Sequence, residues 1–532
     1  MKVFLISMPD VVPIIMSSTT SSTVAPSREA SPLCIPLTIP VAPYLRDHRI
    51  DGKIVLPAVE ILQHLAASVK AHRPDAAICR MGAAKFERFL PIPEDSSVIE
   101  ACHELEIHEN GRLVSRLTTR SVITGTGIKR TRAHAQVEFT APEVSRPPLP
   151  MDMAAALDGV SFEIPASKLY SELVPFGPAY QNIIGSLFLT ESGAVAQIRA
   201  VGHEAASAPL GSPFPFDAAL HAVCAWGQRF HHLTAFPVGF EERIIFEPTA
   251  PGEIYHCRIL PVAPTGDDLI FDIWIYDAAG GLREAIRGVA MRDISGGRVR
   301  PPDWVRNEGS ITLAAIREQC RAVAVVDRQT MADFAVLALT VPERERMEKM
   351  GKKRQTEFLA ARIVLKLLSR KLAGGDMATL ASAIHTASPD GIRPRCIVAG
   401  ANDPVFCSVS HDSRFAVAVA GDGEIGVDVE RLSDKVLTAR RIFMSEEELA
   451  LTKGSPLGIV QASIRVWSIK EGIAKATGRP LAESWKKVKV ECIERYGSLL
   501  TVEGVRYTAF HDTVDDHIFT VVKREMPGVE RT

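Results

Sequence analysis

The sequence predicts an α+β protein of several domains, and three observations carry that prediction. The chain has 532 residues, enough for three or four domains of ordinary size. A helix-like stretch followed by several strand-like runs occurs twice in its N-terminal half. A region dominated by helical periodicity follows, with short acidic and lysine-bearing motifs towards the C-terminus.

Taken in order, Met1 to Met16 is apolar but is interrupted by Pro9, Asp10 and Pro13. It has one lysine and no small-residue cleavage site, so it does not read as a secretory signal. Ser17 to Ser31 is rich in serine and threonine without apolar periodicity, and residues 1–32 are expected to be disordered. Val55 to Lys70 is expected to be a helix, with Pro57 near its first turn and Leu62, Leu65, Ala66 and Val69 on one stripe. Strands are expected over Ser97 to His108, Leu113 to Thr124 and Arg132 to Phe139. Pro142 to Met153 carries four prolines and reads as a connector. The pattern then recurs: a helix over Asp217 to Phe230, and strands near Val238 to Phe246, Ile254 to Leu260, Leu269 to Tyr276 and Ala285 to Asp293. The repeat is one of architecture, not of residue identity. Gly296 to Gly309 combines glycine, proline and charge, and residues 296–310 read as a linker between a unit at 33–295 and one at 311–532. Glu343 to Leu372 reads as one long helical region ending at Gly374-Gly375.

The totals exclude several classes. With 46% hydrophobic and 23% charged residues the chain is not mainly disordered. A net charge of −2 gives no global attraction for nucleic acid or anionic membranes. No run of 18 apolar residues exists, so no membrane span is expected. The nine cysteines are scattered, with no CxxC pair. That pattern predicts reduced thiols in a cytoplasmic protein.

Two runs near the C-terminus point to chemistry: GVDVE (Gly426 to Glu430) and WSIKEGIAK (Trp467 to Lys475). In an extended GVDVE, Val427 and Val429 face one way and Asp428 and Glu430 the other. Two acids about 7 Å apart on one strand face make a hard-oxygen half-site suited to Mg²⁺. In a helix, Trp467, Glu471 and Lys475 form one stripe, adding a third carboxylate and a charge for a phosphate. Gly391 to Pro394 (GIRP), the pair Ser410-His411, and Ile442 to Glu448 (IFMSEEE) complete an ordered set. With WSIKEGIAKATG, this set resembles the two-lobed 4′-phosphopantetheinyl transferases that activate peptide and polyketide synthases. Arg393 stands where lysine is usual, and Gly472 where alanine is usual. The resemblance implies a pseudo-two-fold α+β domain that uses coenzyme A. It implies Mg²⁺ held by Asp428, Glu430 and Glu471, with Glu448 as base for the carrier serine. Arg344, Arg362, Arg393, Ser410, His411 and Lys475 would then bind coenzyme A.

The N-terminal half carries HxxxGxxxxP (His48, Gly52, Pro57), FGPAYQ (Phe176 to Gln181) and FDAALH (Phe216 to His221). Asp217 and His221, four apart at a helix start, share a face. This set resembles the dehydratase domains of polyketide synthases, with Tyr180 where phenylalanine is usual. The resemblance covers about residues 36–295 and implies a double hot-dog fold, with His48 and Asp217 as the catalytic pair. Dehydrating a 3-hydroxyacyl thioester requires a base for the α-proton and an acid for the leaving hydroxyl, which suits these residue types.

Other signals are set aside. His231-His232 reads as an exposed helix end, and the GTG at Gly125 to Gly127 has Arg130 where a third glycine would belong. No carrier-serine motif is present, so the expected partner is an acyl carrier protein acting in trans. The expected function is bifunctional: dehydration on a carrier protein and pantetheinylation of one. Two alternatives keep the transferase. One makes the hot-dog half a non-catalytic carrier-docking module, and the other makes it an isomerase or cyclase.

Overall fold

A computed structural model of the protein describes residues 32–122, 129–140, 156–201, 208–306, 312–374, 379–386, 394 and 405–525. The expected disorder of the N-terminus, the Gly125 to Gly127 turn, the connector Pro142 to Met153, Gly375 and Arg393 lie outside these residues.

The first unit comprises β1 (Leu33–Pro40), β2 (Arg49–Ile50), β3 (Lys53–Leu56), α1 (Ala58–His72), β4 (Arg80–Phe86), β5 (Leu90–Pro91), β6 (Val98–Ile107), β7 (Leu113–Val122) and β8 (Lys129–Phe139). The second comprises β9 (Phe162–Pro165), α2 (Ala166–Lys168), β10 (Ile183–Thr190), β11 (Gly193–Arg199), α3 (Phe214–Phe230), β12 (Phe236–Ile245), β13 (Ile254–Thr265), β14 (Asp268–Asp277) and β15 (Leu282–Arg292). Twelve of these strands form one antiparallel sheet in the order β1-β6-β7-β8-β4-β12-β15-β14-β13-β11-β10-β9. The two units meet at β4 and β12, where Phe240 lies opposite Ala84. Each unit wraps its part of the sheet over one helix, and α1 and α3 bury their apolar stripes in a common core. The first two units are therefore a double hot dog.

Several local expectations shift. Val55 and Leu56 are extended in β3, not helical, because Pro57 places its own φ and ψ outside the helix and α1 begins at Ala58. β1 carries Pro36 and Pro40 and still pairs with β6, because it is an edge strand with a single neighbour. Cys34 and Cys102 are disulfide-bonded between these two strands, with a Cα–Cα distance of 6.1 Å. That pair corrects the expectation of reduced thiols throughout. Among the described residues, Cys79, Cys224, Cys257, Cys320 and Cys492 have free thiols.

The third unit has two lobes. The first holds α4 (Ala314–Arg317), β16 (Ala322–Asp327), α5 (Val341–Glu348), α6 (Lys352–Leu372), β17 (Phe406–His411) and β18 (Phe415–Gly421), with its strands ordered β16-β18-β17. The region expected as one long helix is two, because Gly351 has an extended backbone and caps α6. The second lobe holds β19 (Ile425–Arg431), α7 (Val436–Phe443), α8 (Glu446–Gly454), α9 (Ile459–Thr477), α10 (Leu481–Lys487), β20 (Val488–Ile493), β21 (Gly497–Val502), β22 (Val505–Val514) and β23 (His517–Arg524). Its sheet order is β19-β23-β22-β21-β20, with α9 packed on β19 and β23.

Of the segment expected as a linker, residues 296–300 are exposed and residues 301–306 pack back on the hot dogs. Val305 is fully buried in their core, and Trp304 donates its indole N–H to Glu172 at 2.6 Å. Residues 156–161 run alongside β16: the Gly159 N–H donates to Val325 O at 2.8 Å, and the Val325 N–H to Asp158 Oδ1 at 3.0 Å. Ser161 donates to Asp327 at 2.7 Å, and Lys371 meets Asp158 at 2.5 Å. One apolar cluster unites Ala156, Trp274, Tyr276 and Ala285 with Phe334, Val364 and Leu368. Many contacts therefore cross the seam between the hot dogs and the third unit.

Candidate active sites

The first site grows from a tight hairpin. Asp51 and Gly52 turn it with positive φ, 50° and 75°, a conformation glycine adopts without a Cβ penalty. This turn brings Val55 back beside His48, so that the Val55 N–H donates to His48 O at 3.0 Å and His48 Nδ1 lies 2.9 Å from Val55 O. A carbonyl can only accept, so Nδ1 carries the proton and the Nε2 lone pair is left free to act as a base. The HxxxGxxxxP spacing is thus the length of a hairpin followed by a proline-started helix. His48 is buried, and burial holds its pKa below the ordinary histidine value despite the nearby charge of Asp217.

The second unit completes this site. The Gly177 N–H donates to Asp47 O at 2.8 Å and the Ala179 N–H to Asp47 Oδ2 at 2.9 Å, tying the FGPAYQ loop to the residue preceding His48. A Cβ on Gly177 would sit 2.5 Å from Asp47 Cγ, so the loop can close this tightly only with glycine. Phe176 stacks on the His48 ring at 4.3 Å between centroids, and Tyr180 meets it edge-on at 5.1 Å. Asp217, in the first turn of α3, is buried, and its Oδ2 lies 3.1 Å from His221 Nε2. Beyond it, the Tyr170 hydroxyl lies 3.4 Å from His221 Nδ1. His48, Asp217 and His221 line one cavity of about 1020 Å³.

Two acids next to this site gave no sequence signal. Glu60 on α1 is buried and accepts from the Tyr44 hydroxyl at 3.1 Å. Burial, aided by the charge of Asp217, pushes its pKa up to about 7. Asp47 is the other; its role depends on a loop 130 residues away and no motif marks it.

The second site lies where β19 meets α9. Val427 and Val429 enter the core, and Asp428 points the other way. Asp428 is buried and fully engaged: Ser410 donates to Oδ1 at 2.9 Å, Ser468 to Oδ2 at 2.7 Å, and Lys475 to Oδ1 at 2.7 Å. Lys475 also donates to Ser410 at 2.8 Å and lies 3.5 Å from Glu471. The Trp467 indole donates to Glu430 at 2.8 Å. Burial and the charge of Asp428 push Glu430 up to about 7, and the same two causes raise Glu471. Burial opposes the Lys475 charge, yet Asp428 and Glu471 raise its pKa. Three crowded carboxylates share one lysine, an oxygen-rich cluster with excess negative charge that suits a hard divalent cation. Among the described residues no three such side chains already converge on one point as a preformed metal site.

The other predicted residues are placed variously. Ser410 joins the cluster, and His411 is exposed at the end of β17 with Lys475 in electrostatic range. Arg362 donates to Thr386 O and Oγ1 at 3.2 and 3.0 Å and stacks on Phe358. Arg344 is half-buried on α5, and its Nε has no partner among the described residues. Glu448 is corrected as a candidate base. It closes a capping box with Ser445, and its oxygens accept from Lys470 at 2.7 Å and from the Val490 N–H at 3.0 Å, all in the core. A carboxylate so committed anchors α8 against α9 and β20.

Comparison with known proteins gives two family matches. The model of the 4′-phosphopantetheinyl transferase superfamily matches residues 424–522, and that of the polyketide synthase dehydratase N-terminal domain matches 148–301. Enterobactin synthase component D of Salmonella austin is 27% identical over 139 residues, 26% of this chain and 54% of that protein. The chain thus spans about half the length of this curated relative. A trans-AT PKS dehydratase domain from Brevibacillus brevis is 19% identical, with 49% of this chain and 94% of that one covered and a TM-score of 0.40. The dehydratase domain of the polyketide PpsC from Mycobacterium tuberculosis is 22% identical, with 48% and 92% covered and a TM-score of 0.38.

Proposed function

We propose, from a chain that matches a polyketide synthase dehydratase domain in one half and the 4′-phosphopantetheinyl transferase superfamily in the other, a bifunctional enzyme of polyketide or fatty-acid synthesis. The single observation that carries the reading is that one chain places a buried histidine and a buried aspartate on one cavity and, elsewhere, ties Lys475 to Asp428 and Glu471 with Glu430 in electrostatic range.

In the hot-dog half, His48 Nε2 takes the α-proton of a 3-hydroxyacyl chain held on a carrier protein. Asp217, in its protonated form, gives that proton to the 3-hydroxyl, the C–O bond breaks, and water leaves behind an enoyl thioester. Val55 O fixes the His48 tautomer, and Phe176 fixes the ring plane. The apolar cavity walls keep His48 uncharged and ready to accept the proton.

In the transferase half, the substrate is coenzyme A and the partner is the serine of an acyl carrier protein. Asp428, Glu430 and Glu471 would hold Mg²⁺, which when bound neutralises the pyrophosphate charge. Glu471, whose basicity is raised by its surroundings, takes the serine proton. The serine oxygen attacks the β-phosphorus, the phosphoanhydride bond breaks, and 3′,5′-ADP leaves. Lys475 and His411, with Arg344, Arg362 and Arg393, would contact the nucleotide. The reading puts the chain in the cytoplasm, where coenzyme A is supplied.

The test is intact-mass spectrometry of an apo carrier protein incubated with coenzyme A, Mg²⁺ and the full chain. The expected result is a pantetheine adduct that is lost with chelator and lost again in a variant with Asp428, Glu430 and Glu471 all changed to alanine. Full modification by that variant would overturn the transferase assignment.

A further inference from the structure

We propose that a second cavity, at the seam between the hot dogs and the transferase unit, is a binding site for a small oxoanion, a carboxylate or phosphate group met by Arg258. This cavity, of about 260 Å³, is separate from both sites above. One wall is the outer face of the hot-dog sheet, carrying Gln197 on β11, His256 and Arg258 on β13, and Tyr276 on β14. The opposite wall is the turn after β16, with Gln329, Thr330 and Phe334. That outer face would be wet in a hot dog standing alone. Here the transferase unit covers it, and Arg258 is 7% exposed.

The guanidinium is poorly compensated for so deep a place. Nη1 donates to Ala156 O at 3.0 Å, and Nε has no hydrogen-bond partner among the described residues. Nearby acids do not neutralise it. Asp158 is in electrostatic range, but Lys371 and the Val325 N–H already engage its two oxygens. Glu163 accepts from Ser186 at 2.7 Å and is exposed, and Asp333 is exposed with its charge acting on His256. Burial accordingly pushes the Arg258 pKa down to about 10. A buried charge so poorly compensated is unfavourable, and an anion in the cavity reduces that penalty. The volume admits a ligand of a few heavy atoms. Side-chain donors at the rim, the amides of Gln197 and Gln329, have the right polarity. Because the walls come from different units, the ligand would brace the seam, linking the assembly of the two halves to the supply of a small anion.

The probes are sodium phosphate and sodium acetate, titrated into the full chain at constant ionic strength with chloride as the balancing ion. Thermal unfolding is the readout. The expected result is a saturable rise in Tm of about 2 °C or more with one or both probes, the arms distinguishing phosphate from carboxylate. Phosphate also suits the Lys475 site, so the titration is repeated on Lys475→Ala, where the rise should persist. Arg258→Met should abolish it. Should Arg258→Met fail to fold, Gln197→Glu with Gln329→Glu, both exposed, should weaken the anion at least tenfold. No saturable rise with either probe, or an equal rise in the variants at the cavity, would overturn the proposal.

Discussion

A single buried acid can make the stability of a fold depend on pH. Glu60 is buried beside Tyr44, and its pKa is raised from 4.5 to about 7. Below pH 4.5 both the folded and unfolded chains hold its proton. Between 4.5 and 7 the folded chain keeps the proton that the unfolded chain has lost, so the stability supplied by protonated Glu60 falls as pH rises and is gone above 7. That interval corresponds to about 3 kcal/mol. Glu60→Gln holds the neutral shape at every pH. Its stability relative to wild type should therefore climb by roughly that amount from pH 4.5 to 7 and then level off. Denaturant melts at fixed pH values read this directly, and a gap that does not change with pH would contradict it. The residue scale is also where sequence reading fell short most instructively. His48, Asp217 and Asp428 stand in recognisable runs, but Asp47 and Ser468 act only through partners brought in by the fold. Glu448 misled because an acid in a capping box satisfies two rules at once, and only burial separates them.

At the level of elements, the transferase site depends on how closely β19 meets α9. A Cβ added to Gly426 would lie 1.9 Å from the carbonyl oxygen of Gly472, and the offending atom is backbone, which cannot step aside. The strand carrying Asp428 and Glu430 and the helix carrying Glu471 and Lys475 are therefore docked backbone to backbone through this glycine. Gly426→Ala should drive them apart, destabilising the fold by about 1–3 kcal/mol or more. Pantetheine transfer should fall at least a hundredfold while dehydration persists. A variant with wild-type transfer would show that the contact is not needed. Strands with clean alternation, such as β6, β7 and β14, were legible from sequence to within a residue or two. Others were not. β10 and β4 contain Gly185 and Gly82, and both have register shifts that break the period of two. The end of β3, Val55 and Leu56, was read as helix because a short apolar run before a proline fits either state.

For the whole molecule, the sequence suggested two units joined by a free linker, and the fold shows a shared seam. Residues 156–161 extend the edge of β16, and Trp274 and Tyr276 pack with the transferase lobe. Such an interface has no trace in composition, because its residues lie far apart along the chain. Protease nicking within 307–311 should leave two pieces that still co-elute in size exclusion, and residues 312–532 expressed alone should melt lower than in the full chain. Pieces that separate at once would contradict the seam. On the proposed reading one chain houses two independent chemistries. Intact-mass analysis of a carrier protein tests it most directly, using His48→Ala and Asp428→Ala in parallel with the full wild-type chain. The same carrier is presented either apo with coenzyme A or loaded with a 3-hydroxyacyl group. His48→Ala should add pantetheine at the wild-type rate yet leave the 3-hydroxyacyl chain hydrated. Asp428→Ala should remove water at the wild-type rate yet leave the apo carrier unmodified. Undiminished dehydration by His48→Ala, undiminished transfer by Asp428→Ala, or a wild type unable to perform both reactions would contradict it.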